Sequence, residues 1–170
     1  MAILGDNTQG ASNSGGGADR AWLCKFTASE AGTINSAGAY FDASSIAGAS
    51  MKVLIYTFAS ANTPGTLVAA SSGATVPAGG GLVTAAMSGS FTAGDYFIGI
   101  VTSDFQANVN YDNVGSSADA VLANGSLSYS SPPASWPGTD ASYNYPQFNA
   151  YVDYTAAGGL TPRSMLLGVG

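Results

Sequence analysis

The sequence predicts an all-β protein, an antiparallel β-sandwich of jelly-roll type with a flexible arm at each end. Short apolar or alternating segments recur about every ten residues, as in sandwich folds. No stretch sustains a helical period over three turns, and good surface helix formers are scarce, with only 4 Lys+Arg and one Glu in 170 residues. The 23 glycines and 7 prolines separate the segments, and this length is typical of one domain.

Residues 1–19 are predicted to form an N-terminal arm. From residue 5 to residue 19 there is no large apolar side chain, and Gly15, Gly16 and Gly17 are consecutive, a composition typical of flexible segments. The arm begins with the apolar pair Ile3 and Leu4, which we expect to bind a partner.

Residues 20–155 are predicted to form the sandwich, and residues 156–170 a glycine hinge followed by a docking peptide. An apolar peptide on a hinge is typical of a segment that orders on a partner. Its residues expected to bind a partner are Leu160, Arg163, Met165, Leu166 and Leu167.

Four strands are predicted in the first half of the sandwich: Arg20 to Thr27, Ile34 to Phe41, Met51 to Phe58 and Leu67 to Val76. The third is the clearest, because Val53 and Ile55 share one face while Leu54 and Tyr56 share the other. Apolar residues on both faces predict a central position in a sheet. Residues 63–66, with the Pro-Gly pair, are predicted to form a turn.

The predicted strands of the second half are Leu82 to Met87, Tyr96 to Val101, Val109 to Tyr111, Ala120 to Leu122, Leu127 to Tyr129 and Phe148 to Tyr154. Gly99 marks a close approach of a neighbouring strand. In the last strand, alternation directs the even-numbered residues from Phe148 to Tyr154 into the core. Tyr151 and Asp153 are then left outside.

Residues 130–147 contain four prolines and three aromatic residues and are predicted to form an ordered loop. Long loops within compact domains are often functional. We expect the aromatic residues Trp136, Tyr143 and Tyr145 to contact a partner, which could be a protein or a glycan. The low charge of the chain favours a protein.

The composition argues against an enzyme. The chain has no histidine, so neither a Ser-His-Asp nor a Cys-His arrangement is available. Glycoside cleavage needs two carboxylates at a defined separation, and the candidates are Glu30 and nine aspartates. Asp42, Asp95, Asp104 and Asp140 sit beside turn residues, where aspartate bonds its own backbone.

No metal or other cofactor is expected, because zinc prefers His and Cys and the chain lacks an EF-hand pattern. A Ca²⁺ site could form from Asp104, Asp112 and Asp119, but no other feature of the sequence supports one. The single cysteine, Cys24, lies in an apolar run and is expected to be a buried thiol. The net charge of −6 and the absence of a basic patch argue against nucleic acid, and no apolar run is long enough to span a membrane.

Several segments, in order over residues 3 to 101, give the chain a family resemblance. It resembles a family of β-sandwich domains found in structural proteins of tailed bacteriophages and in some bacterial surface proteins. The resemblance implies a jelly roll used as a phage structural module, as in capsid decoration proteins, tail-associated domains and carbohydrate-binding-like folds. Its motifs are determinants of strands and turns, so it carries over no site residue; relatives often have a Trp where this chain has Tyr96-Phe97. The matching segments are Leu4-Gly5-Asp6-Asn7-Thr8, Lys25-Phe26-Thr27, Gly32-Thr33-Ile34, Ala39-Tyr40-Phe41-Asp42, Lys52-Val53-Leu54-Ile55-Tyr56, Thr63-Pro64-Gly65-Thr66-Leu67-Val68-Ala69 and Phe91-Thr92-Ala93-Gly94-Asp95-Tyr96-Phe97-Ile98-Gly99-Ile100.

From the resemblance, the two arms and the low charge we expect a capsid decoration (cement) protein of a tailed phage. Such a protein would bind the major capsid protein on the outer surface of the virion, as a homotrimer that stabilises contacts between capsomers. The alternative is a glycan-binding module of a phage tail or cell surface, using Trp136, Tyr143 and Tyr145. Binding of a glycan by the isolated chain would favour the glycan-binding module over the decoration protein.

Overall fold

The structure is a computed structural model that describes residues 1–14, 18–60, 63–104, 107–113, 120–124, 127–138, 141–143 and 146–158. The described residues contain no helix, and hence none that could span a membrane. They form fourteen strands: β1 (Ala2–Gly5), β2 (Ser12–Ser14), β3 (Arg20–Ala28), β4 (Gly32–Phe41), β5 (Ser50–Ser60), β6 (Thr63–Ala70), β7 (Ala74–Thr75), β8 (Gly81–Phe91), β9 (Gly94–Thr102), β10 (Val109–Asn113), β11 (Ala120–Asn124), β12 (Ala141–Tyr143), β13 (Pro146–Phe148) and β14 (Ala150–Ala156).

The strands form two antiparallel sheets, which confirms the predicted β-sandwich. Sheet A has the order β1-β14-β4-β10-β13, with β8 on the free side of β4 and β2 beside β10. Sheet B has the order β12-β11-β3-β9-β5-β6, with β7 beside β5. Apolar side chains from the facing sides of both sheets form the main core, among them Trp22, Ile55, Ile98 and Phe148.

A second, smaller core covers the other side of sheet B. Leu54, Tyr56 and Phe97 point into it and are fully buried. Val53 and Ile55 point into the main core. Strand β5 is therefore buried on both faces and has strands on both sides, so its predicted central position is confirmed.

Residues 127–138 cover this second core. Leu127 is buried in it, and Tyr129 and Trp136 pack against it. The segment also adds to the edge of β6, where the amide of Leu67 donates to the carbonyl of Ala134 at 2.8 Å. An uncovered edge strand is a site for unwanted pairing, and here the chain protects part of its own edge. Residues Leu127 to Tyr129 were predicted as a strand, but they form no strand.

The prediction of a flexible N-terminal arm is wrong for residues 2–14. Strand β1 pairs with β14 from Ala2, opposite Tyr154, to Gly5, opposite Tyr151. Leu4 lies in the main core with 5% of its surface exposed. The scarcity of large side chains in this segment does not prevent docking, because backbone hydrogen bonds to the edge of β14 supply much of the attachment.

A buried carboxylate fastens the residues that follow β1. Asp6 accepts hydrogen bonds from the backbone amide and hydroxyl of Thr8, at 2.9 and 2.6 Å. Its other oxygen accepts from the side-chain amides of Gln147 and Asn149, both at 2.9 Å. Asn149 in turn accepts from the amide of Gly10 at 3.1 Å. The network ties residues 6–10 to β13 and to Asn149, which lies between β13 and β14.

The remaining strands largely follow the sequence prediction. A Cβ on Gly99 would collide with the backbone of Trp22 and Leu23 on β3, which confirms the predicted close approach. The even-numbered residues from Phe148 to Tyr154 are in the main core, as predicted. Residues 63–66, predicted as a turn, instead begin β6, because they pair with the end of β5.

Candidate interaction surfaces

The solvent side of sheet A is a surface that we call the outer face of sheet A. Alternation places its residues opposite the main core. Leu82 and Ile3 are its exposed large apolar residues, at 46% and 41%. Its central members are Ile3, Gly5, Ser36, Gly38, Tyr40, Leu82, Thr84, Ala86, Tyr151 and Asp153.

Two tyrosines lie next to each other on this face. Tyr151 on β14 pairs with Gly38 on β4, and a Cβ on Gly38 would come within 2.8 Å of the Tyr151 ring. The ring therefore lies over the glycine backbone. Tyr40 is two residues beyond Gly38 on the same strand and is half-buried. Partial burial, with the neighbouring Tyr40 and Asp153, raises the pKa of Tyr151.

Asp153 is the carboxylate of this group. It is half-buried, and its Oδ1 atom is shielded from solvent and accepts no hydrogen bond from the described part of the chain. The Arg and Lys residues within the described ranges, Arg20, Lys25 and Lys52, all belong to strands of sheet B. The remaining described cation is the α-ammonium group of Met1, two residues before Ile3, which pairs with Asp153.

The N-terminus and the end of β14 lie side by side at one end of sheet A. Strands β1 and β14 are antiparallel neighbours, with Ala2 opposite Tyr154. Met1, 97% exposed, therefore lies beside the last residues of β14. After β14, Ala157 and Gly158 lie in a turn, and Gly158 is the last described residue.

The predicted partner-binding residues separate into three groups. Ile3 is exposed at the edge of sheet A, as a contact residue should be, whereas Leu4 is in the core and its assignment to a partner surface is corrected. Tyr143 is in β12, with its backbone opposite Ala120; its side chain lies outside the description. Tyr145, Leu160, Arg163, Met165, Leu166 and Leu167 lie outside the described residues.

Trp136 does not offer the open ring that the sequence suggested. It is half-buried, and its ring stands edge-on to Tyr56 with centroids 5.4 Å apart. The hydroxyl of Tyr56 donates to the carbonyl of Pro133 at 2.9 Å, and burial raises the pKa of Tyr56 to about 12. Packing of the loop onto sheet B therefore accounts for Trp136, and this weakens the case for a glycan site on this loop.

Of the aspartates predicted to act in turns, Asp42 does so, whereas Asp95 lies in β9 and bonds across to β3. Asp42 accepts from the hydroxyl and the amide of Ser44, and these bonds lower its pKa. Asp95 accepts from the hydroxyl of Thr27 at 2.6 Å and pairs with Lys25 at 3.1 Å. The Thr27 hydrogen bond and then Lys25 lower the pKa of Asp95. Both carboxylates are occupied in holding strands and turns.

The suggested Ca²⁺ ligands are not assembled in the described residues. Asp112 accepts from the amide of Ala11 and the side chain of Asn149, Asp104 is exposed, and Asp119 lies outside the description. Among the residues that the structure describes, no three His, Cys, Asp or Glu side chains gather as metal ligands would.

Cys24 is fully buried in the main core, as predicted. Burial raises the pKa of its thiol to about 12, although the amide of Phe148, which donates to Sγ at 3.1 Å, opposes the shift. A neutral, enclosed thiol is a poor nucleophile.

Comparison of the chain with protein-family models and with curated proteins finds no match.

The outer face of sheet A was not predicted from the sequence as one continuous surface. Part of the signal was present, because alternation placed Tyr151 and Asp153 outside the core. Nothing local, however, links them to Tyr40, more than a hundred residues earlier. That link requires the register of β4 against β14.

Proposed function

We propose that this protein is a structural component of a virion, a capsid decoration (cement) protein of a tailed bacteriophage. It binds the major capsid protein on the outer surface of the shell and stabilises contacts between capsomers. The proposal rests on the family resemblance, on a compact sandwich, and on one geometric observation about the chain ends.

That observation is the adjacency of the N-terminus and the end of β14. The exposed side chains of Met1 and Ile3 lie at the same edge of sheet A from which the chain leads to residues 160–167. Several apolar side chains at one place can bind one partner surface together, and each adds to the same interface. The docked N-terminal segment changes the mechanism expected from the sequence, because β1 presents Ile3 from a rigid edge.

The low charge of the surface supports extended contact with other proteins. Only 8% of the residues are charged, far below the usual quarter, and charged residues are depleted in the centres of protein interfaces. Decoration proteins commonly cluster about threefold axes of the shell, and we propose a homotrimer there. Sedimentation of the purified chain should then give a mass about three times 16.9 kDa in the assembled form.

Binding to shells tests the proposal. Capsids of the encoding phage, assembled without this protein, are mixed with the purified chain and sedimented. We expect the full chain to cosediment and to raise the temperature at which the shells open. A chain that ends at Gly158 should lose binding, and Ile3→Asp should weaken it about tenfold or more, because a charge is placed in an apolar contact.

Leu82→Asp is the matched control, since Leu82 is as exposed as Ile3 but lies on β8, three strands away in sheet A. It should bind shells as the unmodified chain does. If the unmodified chain fails to cosediment with the shells, the proposal is wrong. If Leu82→Asp and Ile3→Asp weaken binding equally, the contact is not at the chain ends.

A further inference from the structure

We propose that β1 is an open sheet edge to which an extended segment of the major capsid protein adds as a further strand of sheet A. The inference rests on the proposed function and deepens it, because it states how the contact at Ile3 is made. The proposed function uses the exposed side chain of Ile3, and the further inference adds hydrogen bonds from its backbone.

The backbone of Ile3 points away from the sandwich. In an antiparallel pair, alternate residues direct both their N–H and their C=O groups towards the neighbouring strand. The amide of Asp6 donates to the carbonyl of Ala150 on β14 at 2.9 Å, so by alternation Ala2 and Leu4 also face β14. Ile3 therefore directs its N–H and C=O to the opposite side, where no described strand pairs with β1.

Two other edges are partly covered by the chain itself. On β6, the amide of Leu67 donates to the carbonyl of Ala134. On β8, the carbonyl of Ala86 accepts from the amide of Ser72 at 2.8 Å. Edges that are not covered are usually protected by charged residues or proline. Strand β1, with the sequence Ala-Ile-Leu-Gly, contains neither, and the described residues do not cover it.

The outward groups of Ile3 specify the chemistry of the occupant. A donor and an acceptor on one residue, in the plane of a sheet, match the main chain of another strand, which would exchange two hydrogen bonds with Ile3. The Ile3 side chain is 41% exposed and favours an apolar side chain at the opposite position of the added strand. Asp153 lies on the other side of Ile3 and disfavours an acidic residue in that row.

A second copy of this chain is the weaker candidate for the occupant. Two β1 strands paired about a twofold axis at Ile3 would match only the residues from Met1 to Gly5. Stable interfaces bury roughly 1,200–2,000 Å² in total, and so short a pairing is too small. A strand of the capsid protein is instead part of the larger proposed contact that includes residues 160–167, so pairing at β1 needs to supply only part of the affinity.

The test separates the backbone of Ile3 from its side chain. Ile3→Ala and Ile3→Pro both remove the isoleucine side chain, but only proline removes the outward N–H. Proline is tolerated on an edge strand when its nitrogen faces solvent. In cosedimentation with shells, we expect Ile3→Ala to weaken binding about threefold. Ile3→Pro should weaken it about tenfold more, because a carbonyl of the added strand loses its donor.

Hydrogen exchange on the unmodified full chain is the second measurement, and it needs no variant. The amide of Ile3 should exchange about tenfold more slowly on shells than in the free chain, because it becomes hydrogen-bonded only on shells. The amide of Leu4 is the internal control. It already faces β14, so its exchange should change much less.

The inference is overturned if Ile3→Pro and Ile3→Ala bind shells equally, or if the Ile3 amide exchanges at the same rate in both states. It is also overturned if isolated Ile3→Pro melts more than about 10 °C below Ile3→Ala, since the N–H would then be bonded within the chain. Protection of the Ile3 amide that rises with protein concentration, without shells, would identify a second copy as the occupant. If the unmodified chain does not bind shells, the proposed function fails as well; if it binds and the two variants are equal, only the added strand is refuted.

Discussion

Replacing Leu4 with alanine tests whether the N-terminal segment belongs to the folded body. Leu4 is 95% buried in the main core, on an edge strand that pairs only with β14 among the described strands. Leu→Ala changes in cores cost about 2–5 kcal/mol, depending on how far the neighbours relax. An edge strand can relax, so we expect a loss of about 2–3 kcal/mol in the free energy of unfolding.

Ile3→Ala is the matched control, because Ile3 is the adjacent residue of the same strand on the opposite face. With 41% of its surface exposed, it should cost about 1 kcal/mol or less. For a domain of this size, 1 kcal/mol shifts the melting temperature by about 2–4 °C. Leu4→Ala should thus melt about 4–12 °C below the unmodified chain, as measured by calorimetry and urea unfolding. A shift no larger than that of Ile3→Ala would refute the docking of β1.

Three further predictions concern the interior. Gly99→Ala should lower the free energy of unfolding in urea by about 3 kcal/mol, the upper end of the overpacking range, because its Cβ would meet the backbone of β3. Gly158→Ala is the control, since a Cβ there has no neighbour within 4 Å, and it should leave the free energy of unfolding unchanged. Equal effects of the two substitutions would contradict the close approach at Gly99. Asp6→Asn should lower the free energy of unfolding by about 2 kcal/mol, because an amide replaces a carboxylate that accepts four hydrogen bonds. Asp104→Asn, at an exposed position, is the control. If it lowers the free energy of unfolding as much, the hydrogen-bond network of Asp6 is not the cause. Burial raises the pKa of the Cys24 thiol from 9.0 to about 12 in the folded chain. Its contribution to the free energy of unfolding is therefore complete below pH 9 and is lost as the pH rises towards 12, at about 1.4 kcal/mol per pH unit. Cys24→Ala should remove this part of the alkaline decrease in the free energy of unfolding, and an unchanged pH dependence would argue against the buried thiol.

Because β1 is already docked on the sandwich, attachment to a shell would cost less conformational entropy than attachment through a flexible arm. A flexible arm loses conformational freedom when it binds, at a cost that lowers affinity. Here residues 2–5 are already ordered against β14, so contacts through Ile3 would not carry that cost.

Strand predictions succeeded where the pattern was local. The alternation in β5 and β14 was sufficient to assign which residues point to the core, and Gly99 marked the close approach to β3. Alternation has a period of two residues and depends only on which side of the strand is buried. The scarcity of reactive side chains was likewise a property of composition alone.

Predictions failed where a segment owes its conformation to a distant one. Residues 2–14 have a composition typical of a linker, yet their strands β1 and β2 pair with strands more than ninety residues away, as Leu4 does with Val152. The loop around Trp136 has a composition typical of a binding loop, yet the Trp136 ring packs on Tyr56. In each case tertiary contacts overrode the local tendency.

By itself, the sequence determined an all-β chain, the faces of its central strands and the shortage of catalytic groups, because these follow from side-chain type and spacing along the chain. Only the tertiary structure decided that the N-terminal segment is part of the sandwich and that the N-terminus lies beside the end of β14. It also decided that Tyr40, Tyr151 and Asp153 share a surface. The physical reason is strand register, since pairing between distant segments brings residues together that no local pattern relates.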